Sequence, residues 1–266
     1  MPARYPERIV CLTEETTETL YLLGEERRIV GISGYTVRPP RARKEKPRVS
    51  AFLSAKTDKI LALQPDLVLG FSDLQADISK DLVKAGLNVM IFNQRSVEEI
   101  LDFIQVLASI VGVPEKGERL VASLERNLQE IRKAAPKRRP RVYFEEWDEP
   151  MISGIRWVSE LVEIAGGEDA FKERSFSQGA TGRTISDPAE VVDKNPDIIL
   201  GSWCGKKFRP ERVAARPGFE KISAVKANQL HEIKSSEILQ PGPAALTDGV
   251  RRIHAILKAW AARSGS

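Results

Sequence analysis

The sequence predicts an α/β protein of two similar three-layer lobes with mainly parallel sheets, joined by one long helix and holding a ligand cleft between the lobes. Three observations carry this. KILALQPDLVLGFS (Lys59 to Ser72) and EVVDKNPDIILGSW (Glu190 to Trp203) repeat one pattern of helix end, Pro-Asp, apolar run and glycine. Between them, the stretch from Pro114 to Ala135 places Leu120, Leu124, Leu128 and Ile131 at the spacing of a single buried helical stripe, with charged residues on its other faces. Finally, 266 residues exceed what most single cores hold, and they suit two α/β domains of roughly 110 to 130 residues each. The expected division is residues 1–113, a connecting helix at 114–136, and 137–266.

In the first lobe, RIVCL (Arg8 to Leu12) reads as a strand. Thr13 is the expected N-cap of the helix that follows, Glu14 and Glu15 suit its positive end, and Gly24 ends it. Arg28 to Gly34 is the second strand. Tyr35 to Ser54, rich in proline and basic residues, lacks the periodicity of an element and is expected as a long ordered loop. Loops of that length inside compact domains are usually functional, which puts Tyr35, Arg38, Phe52 and Leu53 near a ligand. In the repeat unit Pro65 closes a short helix, Asp66 opens a strand covered on both faces, and Gly70 releases the chain into a loop. A helix with Ile78, Leu82 and Val83 inward, the strand Leu87 to Phe92, and a helix opened by the capping box Ser96 with Glu99 complete the lobe.

The second lobe restarts with the strand Arg141 to Trp147, which runs into an acidic and aromatic loop. A helix ending at Gly166 and Gly167 follows. Asp187, Pro188 and Glu190 then open the helix before the second Pro-Asp unit, Pro196 and Asp197, whose strand ends at Gly201. Leu230 lies in the last core strand, and Ala244 to Trp260 is the closing helix. Open α/β sheets place ligands at the carboxyl ends of their strands, so this is a binding architecture. A joint of one continuous helix bends little, so ligand binding is expected to close the cleft only slightly.

Composition excludes several classes. A hydrophobic fraction of 42% with 29% charged residues is an ordinary globular balance. The formal charge of +4 is spread among interspersed acids, which argues against nucleic-acid binding. No apolar run reaches membrane-spanning length. Cys11 and Cys204 fall in different halves without metal-ligand spacing, and a covalent cofactor or bound metal is not expected. The start MPARYPERIV lacks the pattern of a secretory signal. The expected location is therefore cytoplasmic as the sequence is written, and periplasmic or extracellular if it is a trimmed mature form.

RIVCLTEETTETLYLLG, VSAF, GGEDAF (Gly166 to Phe171), NPDIILGSW and HEIKSSEILQPGPAALTDGV together resemble the substrate-binding proteins of ABC transporters that carry cobalamin, haem or iron siderophores, those with a single helix between lobes. The resemblance covers nearly the whole chain and is strongest to the cobalamin-binding branch. It implies a monomer without enzymatic activity that holds cobalamin or a related corrinoid for import. Carried over position by position, the ligand site comprises Thr13, Glu14, Glu15, Tyr35, Arg38, Phe52, Phe71 and Ser72 in the first lobe, and Glu146, Trp147, Trp203 and Glu237 in the second. The resemblance also implies docking to a permease through one acidic residue per lobe. The corresponding helices offer Asp77, beside Lys80 and Lys84, and Glu211, beside Arg209 and Arg212, a poor pair. A relative that sequesters its ligand inside the cell is the alternative that this leaves open.

Acidic residues crowd these positions: Glu14, Glu15, Glu145, Glu146, Asp148, Glu149 and Glu237, against Arg38, Arg156 and Arg183 as counter-charges. Ionised carboxylates accept hydrogen bonds and do not donate them. They suit amides, hydroxyls or a cationic small molecule, and they oppose haem propionates and anionic ferric siderophores. The competing class is a hydrolase using Glu14 and Glu146 as acid and base. Against it stand the lack of a nucleophile motif, of a phosphate loop and of a metal cluster, and the presence of only two histidines, His231 and His254, both at packing positions.

Overall fold

The computed structural model describes residues 5–263. The chain forms two compact units: one runs to Gln94 and takes up again at Glu98–Leu124, and the other holds Arg95–Val97 and the chain from Glu125 onward.

The first unit is built on a five-stranded sheet of order β3-β2-β1-β4-β5, from β1 (Ile9–Cys11), β2 (Ile29–Ser33), β3 (Arg48–Ser50), β4 (Leu67–Phe71) and β5 (Val89–Phe92). Every pairing in it is parallel. Its helices are α1 (Glu14–Leu22), α2 (Ala42–Glu45), α3 (Thr57–Ala62), α4 (Ala76–Lys84) and α5 (Val97–Ile110). The central strands β1 and β4 are buried throughout, as in parallel sheets covered on both faces, and Val10, Leu12, Val49, Ile60, Val68 and Leu82 form one continuous cluster. Strand order reverses at the β1/β4 pair, in register Ile9 to Leu67 and Cys11 to Leu69. A crevice at the carboxyl ends of these two strands is the general consequence.

α6 (Pro114–Lys133) is one unbroken helix, assigned to the first unit up to Leu124 and to the second from Glu125. Leu124, Leu128 and Ile131 are buried as the stripe predicts, while Leu120 is only half-buried. Gly117 takes its place in the packing, because a Cβ there would lie 2.6 Å from that of Ala108.

The second unit has a sheet of order β11-β10-β6-β7-β9, with β8 pairing β6. The strands are β6 (Arg141–Asp148), β7 (Met151–Ser153), β8 (Glu168–Asp169), β9 (Thr184–Ile185), β10 (Ile198–Gly201) and β11 (Leu230–Glu232). β10 is parallel to both β6 and β11, whereas β7 is antiparallel to β6 and β9. The helices are α7 (Arg156–Ile164), α8 (Lys172–Ser175), α9 (Ala189–Lys194), α10 (Pro210–Ala214), α11 (Ser223–Lys226), α12 (Ser235–Ile238) and α13 (Val250–Arg263). Tyr143, Ile199, Trp203, Phe208 and Phe219 anchor its apolar core.

The repeat goes deeper than its two visible motifs. The Asp66 carboxylate accepts the amides of Glu7 (2.8 Å) and Arg8 (3.0 Å), and the Arg8 guanidinium reaches the carbonyl of Gln64 (3.0 Å). Asp197 accepts the amide of Arg141 (2.9 Å), and the Arg141 guanidinium reaches the carbonyl of Lys194 (2.8 Å). In each unit the aspartate therefore ties the start of the neighbouring central strand to the repeat strand. The arginine satisfies carbonyls left over at a helix end. Gln64 and Asn195, each just before the proline, share a left-handed backbone with φ of 46° and 41°.

Several local expectations are corrected. Gly70 lies inside β4 rather than ending it, and a Cβ there would come within 2.7 Å of both Gln75 and Ile91. Gly201 likewise leaves room for the ring of Phe208. These glycines serve close packing. The stretch Tyr35 to Ser54 is not all loop: it contains α2 and the edge strand β3, because Pro47 and Ser50 supply carbonyls to the amides of Ile32 (2.9 Å) and Gly34 (2.7 Å). Val83 points outward at 58% exposure, leaving Leu82 as the buried residue of α4. The Asp187 carboxylate accepts the Ala189 amide at 2.9 Å, but the N-cap position of α9 itself is taken by Pro188. The closing helix begins with a π turn at Ala245–Gly249, where Gly249 is pressed against the carbonyl of Glu237.

Candidate functional site

At the first sheet, the segments following β1, β2, β3 and β4 carry Thr13, Glu14 and Glu15, then Tyr35 and Arg38, then Phe52, then Ser72, and Phe71 is the last residue of β4 itself. The topology thus gathers them at one edge. Their states differ. Tyr35 is 54% exposed, and Leu53 (68%) and Leu74 (59%) add exposed apolar surface to the same edge. Phe52 is half-buried, and its carbonyl accepts the amide of the fully buried Gln75 at 2.9 Å, which ties the loop after β3 to the segment after β4.

Phe71 and Ser72 do not present themselves as expected. Phe71 is buried as part of β4, in the manner of a lobe-core ring. The Ser72 hydroxyl is buried and accepts the Leu74 amide at 3.3 Å, stabilising a turn with φ of 63° at Ser72. Thr13 occupies the N-cap position of α1 without making a side-chain cap. Its hydroxyl is instead donated to Glu15 at 2.5 Å, and its carbonyl accepts the hydroxyls of Thr16 and Thr17.

The carboxyls of the first turn of α1 are the chemically unusual feature. Glu14 is 8% exposed and Glu15 1%. Each has one carboxyl oxygen buried without a hydrogen-bond partner. Burial, followed by the charges of Glu15 and Glu18, pushes Glu14 up from the ordinary 4.5 to about 8. Burial raises Glu15 to about 7, with the Thr13 hydroxyl working in the opposite direction. Arg38 contributes less than a direct counter-charge would, because its guanidinium is engaged by Glu18 at 2.8 Å. A Glu14 that keeps its proton at neutral pH both donates and accepts, which corrects the reading of this edge as a wall of acceptors.

At the second sheet the acids behave differently. Glu145 is fully buried and is held by Arg216, by the Tyr143 hydroxyl (3.0 Å) and by the Trp203 indole N–H (3.0 Å). Glu146 is gripped by both terminal nitrogens of Arg183, at 2.5 and 3.2 Å, and Arg183 is itself only 3% exposed and bonded to the Ser153 carbonyl. Arg183 is therefore the counter-charge that the sequence suggested. Arg156 is not, because it pairs with Glu160 within α7. Both oxygens of Glu146 are thus engaged by Arg183.

Trp203 is 3% exposed and packs edge-on against Phe208 with centroids 5.0 Å apart, so most of the ring belongs to the core. Trp147 is half-buried, and the Lys206 ammonium sits 4.1 Å above its ring while also pairing with Asp148. Glu237, on α12, is paired with Arg252 at 2.7 Å. The fixed negative charges expected here are thus matched by cations of the same lobe.

Sequence reasoning missed Arg216, Gln75 and a basic hollow at the carboxyl ends of β10 and β11. The hollow has a volume of about 320 Å³ and is walled by Trp203, Lys206, Lys207, Lys234, Ser235 and Ser236, with Glu232 at its side. One signal in the sequence points to it, since Lys206 and Lys207 directly follow the second Pro-Asp strand, where the topology places ligands. Among the described residues, no cluster of histidine, cysteine or acidic groups suits a metal ion, and no helix is long and apolar enough to cross a membrane.

Comparison with known proteins extends these observations. The periplasmic binding protein family matches residues 9–237. The vitamin B12-binding protein of Vibrio cholerae is 25% identical over 259 residues, 95% of this chain and 89% of that protein. The crystal structure of the periplasmic vitamin B12-binding protein of Vibrio cholerae superposes with a TM-score of 0.74 at 25% identity, covering 96% and 98% of the two chains. The apo periplasmic haem-binding protein of Roseiflexus sp. RS-1 superposes at 0.77 with 23% identity, covering 94% and 99%, and shares the fold. Two α/β lobes with mainly parallel sheets, a Pro-Asp unit repeated in each, and a match over most of the chain make this protein a member of the periplasmic binding protein family.

Proposed function

We propose that this protein is the solute-binding component of an ABC importer and that its cargo is cobalamin or a related corrinoid. The observation that carries the reading is the exposed apolar surface of Tyr35, Leu53 and Leu74, together with Phe52, on loops at the carboxyl edge of a parallel sheet. Apolar contact with few polar anchors is how large, flat ligands are held. Kinship over nearly the whole chain with a protein named for vitamin B12 binding supports the same cargo. Neutral Glu14, able to donate as well as accept, fits the amides of a corrinoid periphery.

Haem is the second reading, and one observation favours it: the lysine-walled hollow of the second lobe is suited to carboxylates, which the acidic residues had argued against. Titration calorimetry with cobalamin, cobinamide, haem and a ferric siderophore separates the two. Heat with cobalamin at one ligand per chain is the expected result, and silence with both corrinoids would remove the assignment while leaving the family untouched. Delivery to a permease through Asp77, in the first turn of α4, and Glu211, in that of α10, belongs to the same proposal, as does a location outside the cytoplasm. Charge reversal at both positions is expected to abolish vesicle transport without altering ligand binding.

A further inference from the structure

We propose that the hollow at the carboxyl ends of β10 and β11 is an oxyanion subsite that takes a phosphate or carboxylate substituent of the cargo. The inference rests on the reading of the protein as a solute carrier and adds a chemical requirement to it. At about 320 Å³ the hollow is at the lower bound of cavities that enclose a whole small ligand. It suits one arm of a larger molecule.

Its charge is specific in sign. Lys206 is already engaged, by Asp148 and by the faces of Trp147 (4.1 Å) and Trp203 (5.2 Å). That engagement places its ammonium and leaves the electrostatic demand to its neighbours. Lys207 and Lys234 have no ion-pair partner among the described residues, although both line the same hollow. The opposing acid, Glu232, has one oxygen occupied by the amide of Phe208 at 3.2 Å. Ser235, Ser236, Trp203 and Ile233 complete the lining. Three lysines against one glutamate give the lining a net positive charge, which favours an oxyanion over a cation.

Two cargo groups share this chemistry, the phosphodiester of cobalamin and the propionates of haem, and the experiment distinguishes them. Inorganic phosphate and acetate are titrated into the full chain while the fluorescence of Trp203 and Trp147 is followed. The expected result is a saturable response that weakens with added salt and disappears in the Lys207→Ala/Lys234→Ala double variant. Calorimetry then compares cobalamin with cobinamide, which lacks the phosphodiester, and with haem. A loss of about tenfold for cobalamin with cobinamide unchanged assigns the subsite to a phosphodiester. The same loss for haem assigns it to carboxylates. Lys207→Arg/Lys234→Arg is expected to restore binding, and melting temperature is expected to be unchanged throughout. No saturable response to either anion, or a response indifferent to the lysines, overturns the subsite even if cobalamin binds. Failure of cobalamin to bind while the lysine-dependent anion response persists overturns the corrinoid reading and leaves the subsite standing.

Discussion

The two lobes carry the same repeat and the same kind of sheet edge, yet they treat buried acids in opposite ways. At the first edge Glu14 and Glu15 are buried with no ion pair among the described residues, and each keeps one oxygen without a partner. At the second, Glu145 and Glu146 each present both oxygens to an arginine. A buried carboxyl without a cation relieves its desolvation by taking up a proton, whereas one clasped by a guanidinium keeps its charge. The same residue type, in the first turn of α1, therefore yields a neutral, partly apolar edge in one lobe. In the other, where the acids lie on β6, they are paired with arginines, while Lys207 and Lys234 carry no ion pair among the described residues.

The largest expected effect breaks the second half of that contrast. Arg216→Ala leaves Glu145 buried without its cation and is expected to cost about 3–5 kcal/mol in urea denaturation. Adding Glu145→Gln should recover part of the loss, because the uncompensated charge is then gone. If Arg216→Ala were neutral, the charge of Glu145 would not depend on its clasp.

The first half is tested by pH. Glu14 and Glu15 have folded-state values of about 8 and about 7, above the ordinary 4.5 of the unfolded chain. Below 4.5 both states are protonated and stability is intact. As pH rises from there the unfolded chain releases its protons first, so stability falls until the folded carboxyls ionise near 7 to 8. The expected outcome is a steady decline in stability across that window, carried by both carboxyls. Glu14→Gln should flatten it in thermal melts between pH 5 and 8, and a wild-type curve that rises over the same interval would contradict a neutral Glu14.

Ligand contact comes next in size. Trp147→Ala in the second lobe and Phe52→Ala in the first are each expected to weaken cobalamin binding by roughly 1 to 3 kcal/mol in calorimetry. Loss confined to Phe52→Ala would sharpen the contrast, assigning apolar recognition to the first edge alone. The smallest effect probes what the lobes share: Asp66→Ala and Asp197→Ala should each cost about 1 kcal/mol, by freeing strand-start amides that water partly satisfies. Unequal costs would show that the repeat is conserved in form and not in energy.

Much of the fold was legible in the residues themselves. Pro-Asp followed by an apolar run marks a buried strand twice, the spacing of Leu124, Leu128 and Ile131 marks α6, and the order of elements places Tyr35 and Phe52 on segments that follow strands and Trp147 near the end of one. These are local properties, set by backbone preference and by the period of apolar residues, and a sequence displays them directly. The short strands β3, β7, β8 and β9 were not legible, since two or three residues carry no period and exist only because a neighbouring strand offers its hydrogen bonds. The charge of the candidate site was not legible either. Glu145 meets Arg216 across 71 residues of chain and Glu146 meets Arg183 across 37, while Glu14 and Glu15 form no ion pair among the described residues. Composition shows seven acids near the expected ligand positions, but whether an acid is paired, protonated or exposed depends on partners and burial that are long-range consequences of folding. The sequence by itself determined where the edges are and which residue types stand on them, and only the tertiary structure decided what charge those edges present.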